Sequence, residues 1–209
     1  MTYKVLLLNG SPHAKGCTAR ALQEVAGALE SEGIETELVQ IGKDDVPGCK
    51  ACGFCMRNGR CVYDDKVNEV AAKFEESDGL IIGSPVYYSS PNGTALSFMD
   101  RLFYSTGFSK QMKVGAAVVR CRRGGNTASF DVLNKYFTIS GMPVASSTYW
   151  NQVHGHTAED VEKDLEGLQT MRNLGRNMAF LIKAIAAERA KTGLPVVEKN
   201  VFTSFPDGK

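Results

Sequence analysis

The 209-residue sequence lacks a long apolar run and carries almost no net charge. No stretch approaches the roughly 18–20 consecutive apolar residues of a membrane-spanning helix. Lys and Arg total 24 against 23 Asp and Glu, and no basic run stands out, so the charge gives no support for a nucleic-acid partner. The opening residues MTYKVLLLNGSP contain one Lys and a short apolar run, unlike a secretory signal peptide. These absences predict a cytoplasmic protein with no membrane and no nucleic-acid partner.

Internal repeats, low-complexity tracts and linkers rich in Pro, Gly or Ser are also missing. A chain of this length suits one domain and can bury a substantial core. We therefore predict a single domain over residues 1–209. In the cytoplasm, clustered cysteines bind metals or do redox work more often than they form structural disulfides.

Short apolar runs alternate with helical patterns along the first 150 residues. The apolar runs predict strands at 4–9, 34–41, 79–84, 113–119 and 142–150. The amphipathic patterns between them predict helices at 18–33, 65–77, 92–104 and about 125–140. This alternation is typical of an α/β fold, a parallel sheet with helices on both faces.

The order of the five strands follows from their connections. Right-handed crossovers favour the order 2-1-3-4-5, with the strands numbered along the chain. The polar and apolar alternation of 34–41 fits a position near the edge of the sheet. In this order the switch point lies between the first and third strands, and ligands bind beyond the carboxyl ends of the strands there. We therefore expect the ligand site in the loops that follow these two strands.

A long amphipathic pattern follows the sheet, from about residue 157 to residue 191. Apolar residues recur every three or four positions, and Thr157 with Asp160 has the pattern of a capping box. Gly193 and Pro195 mark the end of the helix. The stripe is longer than one sheet-covering helix requires. It either packs on its own domain or contributes to a subunit interface.

The loop after the first strand, NGSPHAKGCT, has the chemistry of a phosphate site. It is neither a Walker A loop nor a G-x-G-x-x-G motif. It does combine hydroxyls and glycine with the start of a helix, where backbone amides converge and bind anions. The backbone amide of Cys17 can also donate to an anion, and His13 can add positive charge. The candidate ligands are Ser11, His13, Gly16, Cys17 and Thr18.

Two later loops have features that suit a flat ligand. GSPVYYSSPNG follows the third strand, where prolines stiffen the backbone, flanking glycines allow close approach, and adjacent tyrosines offer stacking surfaces. RCRRGGN ends the fourth strand and again contains paired glycines. Its arginines, Arg120, Arg122 and Arg123, either face a negatively charged partner or form a solvated basic turn. The candidate ligand residues are Pro85, Val86, Tyr87, Tyr88, Gly124 and Gly125.

Four of the six cysteines lie in CKACGFCMRNGRC, at residues 49–61. The surrounding loop, 42–64, is long enough to indicate a function. The spacing C-x2-C-x2-C-x5-C crowds three thiols more closely than a zinc finger does, and suits the corners of a cubane iron–sulfur cluster. Nearby Lys and Arg residues would offset the charge of the thiolates. Redox-active or idle thiols and another metal remain as alternatives. The candidate cluster ligands are Cys49, Cys52, Cys55 and Cys61, whereas Cys121 is expected only to pack.

The segments LLLNGSPHAKGCT, GSPVYYSSPNGTALSFMDR and GGN resemble the flavin loops of the flavodoxin-like NAD(P)H-dependent FMN reductases. The resemblance covers residues 4 to about 150. It implies a flavodoxin-like three-layer sandwich with a C-terminal helical extension. It also implies an FMN phosphate in the loop at 11–18 and the isoalloxazine ring between 85–88 and 124–125. The single phosphate loop, without a second nucleotide fingerprint, favours FMN over FAD.

The cysteine loop is similar to that of the iron–sulfur flavoproteins, a subfamily that holds one [4Fe–4S] cluster in an FMN protein. The resemblance implies an oxidoreductase that passes electrons through FMN to a second acceptor, with NAD(P)H as co-substrate. The flavin itself accepts hydride, so no catalytic side chain is expected. One alternative is a one-electron transfer protein that exchanges electrons with ferredoxin through the cluster. Another is a flavin-bound redox sensor that is not an enzyme. A homodimer or homotetramer is expected.

Overall fold

The fold is that of a computed structural model, which describes residues 2–199 and Val201. The predicted domain, 1–209, therefore extends over residues 1, 200 and 202–209, which lie outside the described part. The described residues form the strands β1 (Tyr3–Asn9), β2 (Ile34–Gln40), β3 (Gly79–Tyr87), β4 (Ser90–Pro91), β5 (Val114–Cys121) and β6 (Gln152–His154).

The sheet has the order β2-β1-β3-β5-β6, and every neighbouring pair on this path is parallel. The predicted order is confirmed, with β5 and β6 as the fourth and fifth strands of the prediction. β2 lies at the edge, as its alternating polarity indicates. The short β4 folds back on β3 as an antiparallel pair and was not predicted. The carboxyl ends of β1 and β3 lie side by side, with Asn9 opposite Gly83.

Helices cover both faces of the sheet. Their bounds are α1 (Cys17–Ser31), α2 (Phe54–Asn58), α3 (Lys66–Glu76), α4 (Gly93–Ser105), α5 (Asn126–Ile139), α6 (Ala158–Val161) and α7 (Leu165–Thr192). Within the described ranges, no helix is long and apolar enough to cross a bilayer.

Consecutive residues of the central strands face opposite sides of the sheet and build two separate cores. Leu7 belongs to one core, with Leu22 of α1 and Met178 of α7. Leu6 belongs to the other, with Phe98 of α4. All five side chains are fully buried, and burial of each stabilises the fold by about 1.5–3 kcal/mol. The result is the predicted three-layer sandwich, with one face of α7 packed on its own domain.

The last strand is shorter and later than the prediction of 142–150. In the described structure this segment pairs with β5 at an isolated bridge between Gly115 and Val144, and regular pairing resumes at Gln152. Between the two, the Ser147 hydroxyl lies 2.6 Å from the Tyr149 carbonyl oxygen and 2.7 Å from Asn151 Oδ1, and its single proton is shared between these two local acceptors. Side chains that bond to the nearby chain in this way compete with strand pairing, which explains the interruption.

The predicted helix over 157–191 is divided into α6 and α7. The capping box of Thr157 and Asp160 is present at the start of α6. Asp164 then begins a new helix, because its side chain accepts the Gly167 N–H at 2.9 Å and the His154 N–H at 2.6 Å. This second cap ties the start of α7 to the end of β6. The long helix ends at Thr192, before Gly193 with a φ of 85°.

Candidate functional site

The carboxyl ends of β1, β3 and β5 border one broad pocket of about 710 Å³. Residues 11–18, between β1 and α1, form one wall. Pro85 and Tyr87, from the end of β3, lie in a second wall, and Arg120 of β5 also contributes. The pocket therefore lies at the switch point of the sheet, where the sequence predicts the ligand.

The N-terminus of α1 lines this pocket and has the donors of an anion site. Gly16 is the N-cap residue and provides no side-chain hydrogen bond to the first amides of this 15-residue helix. Thr18 Oγ1 is buried and has no hydrogen-bond partner in the described structure. Free amides at a helix N-terminus carry partial positive charge and bind phosphate groups. The residues present therefore fit a phosphate monoester such as that of FMN.

The loop that precedes α1 is held rigidly. The Ser11 N–H donates to Asn9 Oδ1 at 3.1 Å, and Ser11 Oγ accepts the His13 N–H at 3.1 Å. From β2, the Gln40 side chain donates to the Ser11 carbonyl at 2.5 Å and accepts from the Asn9 side chain at 2.6 Å. These bonds fix the position of the Ser11 hydroxyl before a ligand binds.

The segment after β2 packs directly on the phosphate loop. The backbone N–H groups of Ile41 and Gly42 both donate to the Asn9 carbonyl at 3.0 Å. A β-carbon on Gly42 would lie 2.2 Å from the Gly10 carbonyl oxygen, a distance that no side chain tolerates. Only glycine allows the cysteine loop to leave the sheet across the phosphate loop in this way.

The second loop turns sharply between β3 and β4. Tyr88 and Ser89 have φ angles of 50° and 59°, which are unusual for residues with side chains. Two such residues in succession give the type I′ turn of a tight hairpin. Tyr87 lines the pocket, whereas the Tyr88 side chain is exposed and does not.

The paired glycines after β5 lie behind this hairpin. Gly125 has a φ of 95°, and a β-carbon on it would lie 2.9 Å from both Ser89 Cα and Val86 Cγ1. A β-carbon on Gly124 would meet nothing within 4 Å in the described structure. Gly125 therefore supports the second loop from behind by packing against Val86 and Ser89. Val86, Gly124 and Gly125 do not line the pocket, so a direct contact of these residues with a flavin stays a prediction.

The pocket has further lining residues that the sequence analysis missed. Lys43 comes from the start of the cysteine loop, and His156, Thr157, Ala158 and Glu159 come from the turn after β6 and the start of α6. The turn was missed because the last strand was predicted to end at residue 150. Since parallel strands end at one edge, a strand ending at His154 places the following turn beside the other ligand loops.

Arg120 links this turn to β5. Its Nη2 donates to the His156 carbonyl at 3.0 Å, and its buried Nε has no partner in the described structure. Of the two alternatives for the three arginines, Arg120 supports the first, because it faces a pocket that suits an anionic ligand. Arg122 and Arg123 are exposed and do not line the pocket.

The four cysteines of the loop line a second, small pocket against α4, beside Tyr63, Arg101 and Tyr104. Cys49 and Cys52 are exposed, Cys55 is half-buried and Cys61 is buried, and all four are free thiols. No three Cys, His, Asp or Glu residues in the described ranges lie close enough together to hold one metal ion. Four cysteine thiolates are the donor set of a [4Fe–4S] cluster, so the residue types in this pocket suit such a cluster.

The other two cysteines lie outside the loop. Cys17 is buried at the start of α1, and Cys121 is buried at the end of β5. Cys121 Sγ donates to Asn126 Oδ1 at 2.6 Å. Burial raises the pKa of the Cys121 thiol above its usual value, which keeps it protonated and unreactive. Its packing role agrees with the prediction.

Among the described residues Arg101 is the largest fully buried side chain, and all five of its N–H donors have acceptors. Two donate to Cys61 Sγ, from Nε at 3.3 Å and from Nη2 at 3.2 Å. Two donate to the Asp65 carboxylate at 2.7 and 2.9 Å, and the fifth reaches the Pro47 carbonyl at 3.4 Å. Burial acts to lower the pKa of Arg101, but its hydrogen bonds to Asp65 and Cys61 outweigh burial and raise the pKa above its usual value.

Helix α4 connects the two pockets. Its N-cap residue, Asn92, belongs to the second loop and is held by Ser84 Oγ, which accepts its N–H at 2.9 Å. Arg101 and Tyr104 of the same helix line the cysteine pocket. At about 1.5 Å per residue, they lie roughly 14–18 Å along the helix from Asn92. One rigid element therefore fixes the cysteine pocket relative to the larger pocket.

Comparison with known proteins agrees with this geometry. The profile of the family described as NADPH-dependent FMN reductase matches residues 3–157. An iron–sulfur flavoprotein from Methanocaldococcus jannaschii is 34% identical over 190 residues, which cover 87% of this chain and 98% of that protein. An iron–sulfur flavoprotein from Methanosarcina thermophila is 29% identical, over 90% of this chain and all of that protein. The crystal structure of RosB with bound 8-demethyl-8-formylriboflavin-5'-phosphate has a TM-score of 0.69 at 17% identity, covering 98% of this chain and 93% of RosB.

Proposed function

Since the chain belongs to the NADPH-dependent FMN reductase family and is a flavin-dependent oxidoreductase, we propose that it couples FMN to a [4Fe–4S] cluster in one subunit. In this proposal FMN binds in the broad pocket at the switch point. The cluster is bound by Cys49, Cys52, Cys55 and Cys61. The single observation that carries the proposal is that all four cysteines line one pocket against α4, the helix that begins in the second ligand loop.

The phosphate of FMN is assigned to the N-terminus of α1. There the amides of Cys17 and Thr18, the Thr18 hydroxyl and the fixed Ser11 hydroxyl provide neutral donors. His13, with Lys15 and Lys43, would add positive charge at the same pocket. RosB, which has the same fold, was solved with a riboflavin 5'-phosphate derivative, and this supports a phosphate-bearing flavin here.

The isoalloxazine ring is assigned to the space beside Pro85, Tyr87 and Arg120. When bound, the flavin supplies the hydride chemistry at its N5 atom. The residues of the chain position the ring: the strained hairpin at Tyr88 and Ser89, supported by Gly125, holds the Tyr87 backbone at the edge of the pocket. No general acid or base is needed from the protein.

The cysteine pocket needs to open to receive a cluster. Its present volume is about 20 Å³, little more than a water molecule occupies. Cys61 is buried and held by Arg101, whereas Cys49 and Cys52 are exposed. We therefore assign the movement to the exposed part of the loop, with Cys61 as the fixed ligand. The two curated relatives above carry the name iron–sulfur flavoprotein, which supports the cluster assignment.

The electron donor is assigned first to NAD(P)H, in accordance with the family, and the acceptor is a second small molecule. One observation favours a second candidate function, one-electron exchange with ferredoxin. Cys49 and Cys52 are exposed, so a cluster bound there would lie at the surface, within reach of a protein electron carrier.

The test uses protein purified without oxygen. We expect released flavin to be FMN, and about four iron and four labile sulfide ions per chain. Steady oxidation of NADPH or NADH would support the first electron donor, and flavin reduction by reduced ferredoxin alone would support the second. Released FAD, or full flavin content without labile sulfide after reconstitution, would contradict the proposal.

We further propose that the protein forms a homodimer or homotetramer. Tyr149 and Trp150 contact each other edge to face and are half exposed, and Phe180 of α7 is 72% exposed. Exposed aromatic surface of this kind often marks a protein contact. Phe103 and Phe108, by contrast, pack against the core beside Phe74, so they are not part of such a surface. Sedimentation that shows only monomer at micromolar concentration would contradict self-association.

A further inference from the structure

We propose that Arg101 is a positioning residue for the iron–sulfur centre, which fixes the Cys61 ligand and makes the centre easier to reduce. This inference rests on the proposed function, because it requires the cluster. It concerns a residue of α4 that is not a ligand and lies outside the cysteine motif.

The geometry of the guanidinium group carries the first part of the inference. Arg101 directs two N–H groups at Cys61 Sγ, at 3.3 and 3.2 Å. The adjacent edge of the group, Nη1 and Nη2, forms a two-point ion pair with the Asp65 carboxylate, at 2.7 and 2.9 Å. A planar group held on two edges is fixed in orientation, so its N–H groups hold the Cys61 sulfur in one position.

Arg101 also contacts Tyr63, an aromatic residue that links it to the start of the cysteine motif. Two cations contact the Tyr63 ring, with Arg101 Cζ at 4.7 Å and Lys50 Nζ at 4.8 Å from its centre. Lys50 is adjacent to Cys49, and Tyr63 is two residues after Cys61. Cys61 is therefore held by Arg101 of α4 directly, and the residue next to Cys49 contacts the same Tyr63 ring as Arg101.

The hydrogen bonds from Arg101 to Cys61 Sγ also affect how easily the cluster is reduced. Reduction adds negative charge to a cluster and its thiolates, and hydrogen bonds to the sulfurs stabilise that charge. A buried cation that donates two N–H groups to a ligand sulfur stabilises the reduced form more than the oxidised form. An arginine with a purely structural role at this position would need only Asp65 as its partner. Such a role does not explain the two hydrogen bonds to Cys61 Sγ.

The experiment compares reduction potentials of the anaerobically reconstituted cluster in the full chain. Arg101→Met removes the charge and both bonds to Cys61, so we expect the potential to fall. Lys50→Met is the matched control, because Lys50 lines the same pocket and contacts the same ring but is exposed, and the described structure shows no bond from it to sulfur. Its effect on the potential should be clearly smaller. Equal shifts in the two variants, or an unchanged potential in Arg101→Met, would overturn the inference.

Asp65→Asn keeps the proposal testable if Arg101→Met loses the cluster. Asparagine is a good N-cap for α3, so the helix should survive. It removes the negative charge that compensates Arg101, so the potential should rise, opposite to Arg101→Met. If Asp65→Asn binds flavin and cluster with an unchanged or lowered potential, the inference is wrong. Absence of labile sulfide in the reconstituted wild-type protein would instead refute the proposed function itself.

Discussion

The Gly10 carbonyl oxygen lies 2.2 Å from the point that a β-carbon on Gly42 would occupy. The contact joins the phosphate loop to the first residues of the cysteine loop, and both partners are backbone. No side-chain rotation can relieve a clash there. A change at Gly42 must therefore move one loop or the other.

Gly42→Ala is expected to weaken FMN binding by at least about tenfold, or about 1.4 kcal/mol. The substitution pushes the Gly10 backbone and with it Ser11, which has to hold the phosphate. Flavin fluorescence titration of the apoprotein measures the effect. Gly48→Ala is the matched control in the same loop, since a β-carbon there meets only Ser97 Oγ, at 3.9 Å. Equal FMN affinities for the two variants would show that the contact between Gly42 and the phosphate loop does not affect FMN binding.

Thr18→Val and Ser11→Ala test the phosphate site itself. Each removes a hydroxyl that we assign to the FMN phosphate, and a hydrogen bond to a charged group contributes about 1.5–3 kcal/mol. We expect FMN affinity to fall about tenfold or more in each, with the fold retained. Thr170→Val, at a buried threonine of α7 outside the pocket, serves as the control for helix perturbation. Unchanged FMN binding in both test variants would place the phosphate elsewhere.

The sheet could be predicted from the sequence because its signals are local and strong. The centres of two strands, VLLL at 5–8 and LII at 80–82, are fully apolar and buried on both faces, and the helices between them have clear periodicity. The handedness of crossovers then leaves one natural strand order. The ligand edge follows from that order without knowledge of any side-chain contact.

The rest of the site depends on contacts between distant segments, which periodicity does not report. The last strand was misplaced because Val144 and Gln152 pair with β5 on either side of a turn held by Ser147. The error hid the turn after His154, and with it four lining residues of the pocket. Arg101 was missed for a related reason: one charged residue in an amphipathic helix usually faces solvent, and only the fold brings it to Cys61 and Asp65.

Glu24 gives a pH-dependent contribution to stability at the contact of α1 with α7. Its carboxylate accepts from Arg172 of α7 and pairs with Arg20 at 2.8 Å. Burial acts to raise the pKa of Glu24, but the hydrogen bonds from Arg172 and Arg20 outweigh burial and lower it below the ordinary value of 4.5. A lowered pKa in the folded state stabilises the fold above pH 4.5, and this stabilisation is lost as the pH falls through the folded value.

Glu24→Gln should therefore reduce the free energy of unfolding by about 1 kcal/mol at pH 7. The difference from wild type should shrink below pH 4.5 and disappear at lower pH. Urea denaturation at several pH values measures it. Glu32→Gln is the control and should have little effect at pH 7, because Glu32, the residue that follows α1, forms an exposed pair with Lys183 of α7. A difference that is independent of pH would contradict the electrostatic origin.

The final prediction concerns the four cysteines as ligands. Cys55→Ala should lower iron and labile sulfide together in anaerobically reconstituted protein while FMN remains bound, because Cys55 lines the cysteine pocket and not the flavin pocket. Cys121→Ala is the matched control, since this buried thiol lies at the end of β5, outside the loop, and should leave the iron content unchanged. Exposed Cys49 and Cys52 also imply that oxygen reaches the cluster, so air should bleach it and leave thiols or disulfides while the flavin persists. If Cys55→Ala retains wild-type iron and sulfide, or if both variants lose them equally, the loop does not bind the cluster in the way proposed.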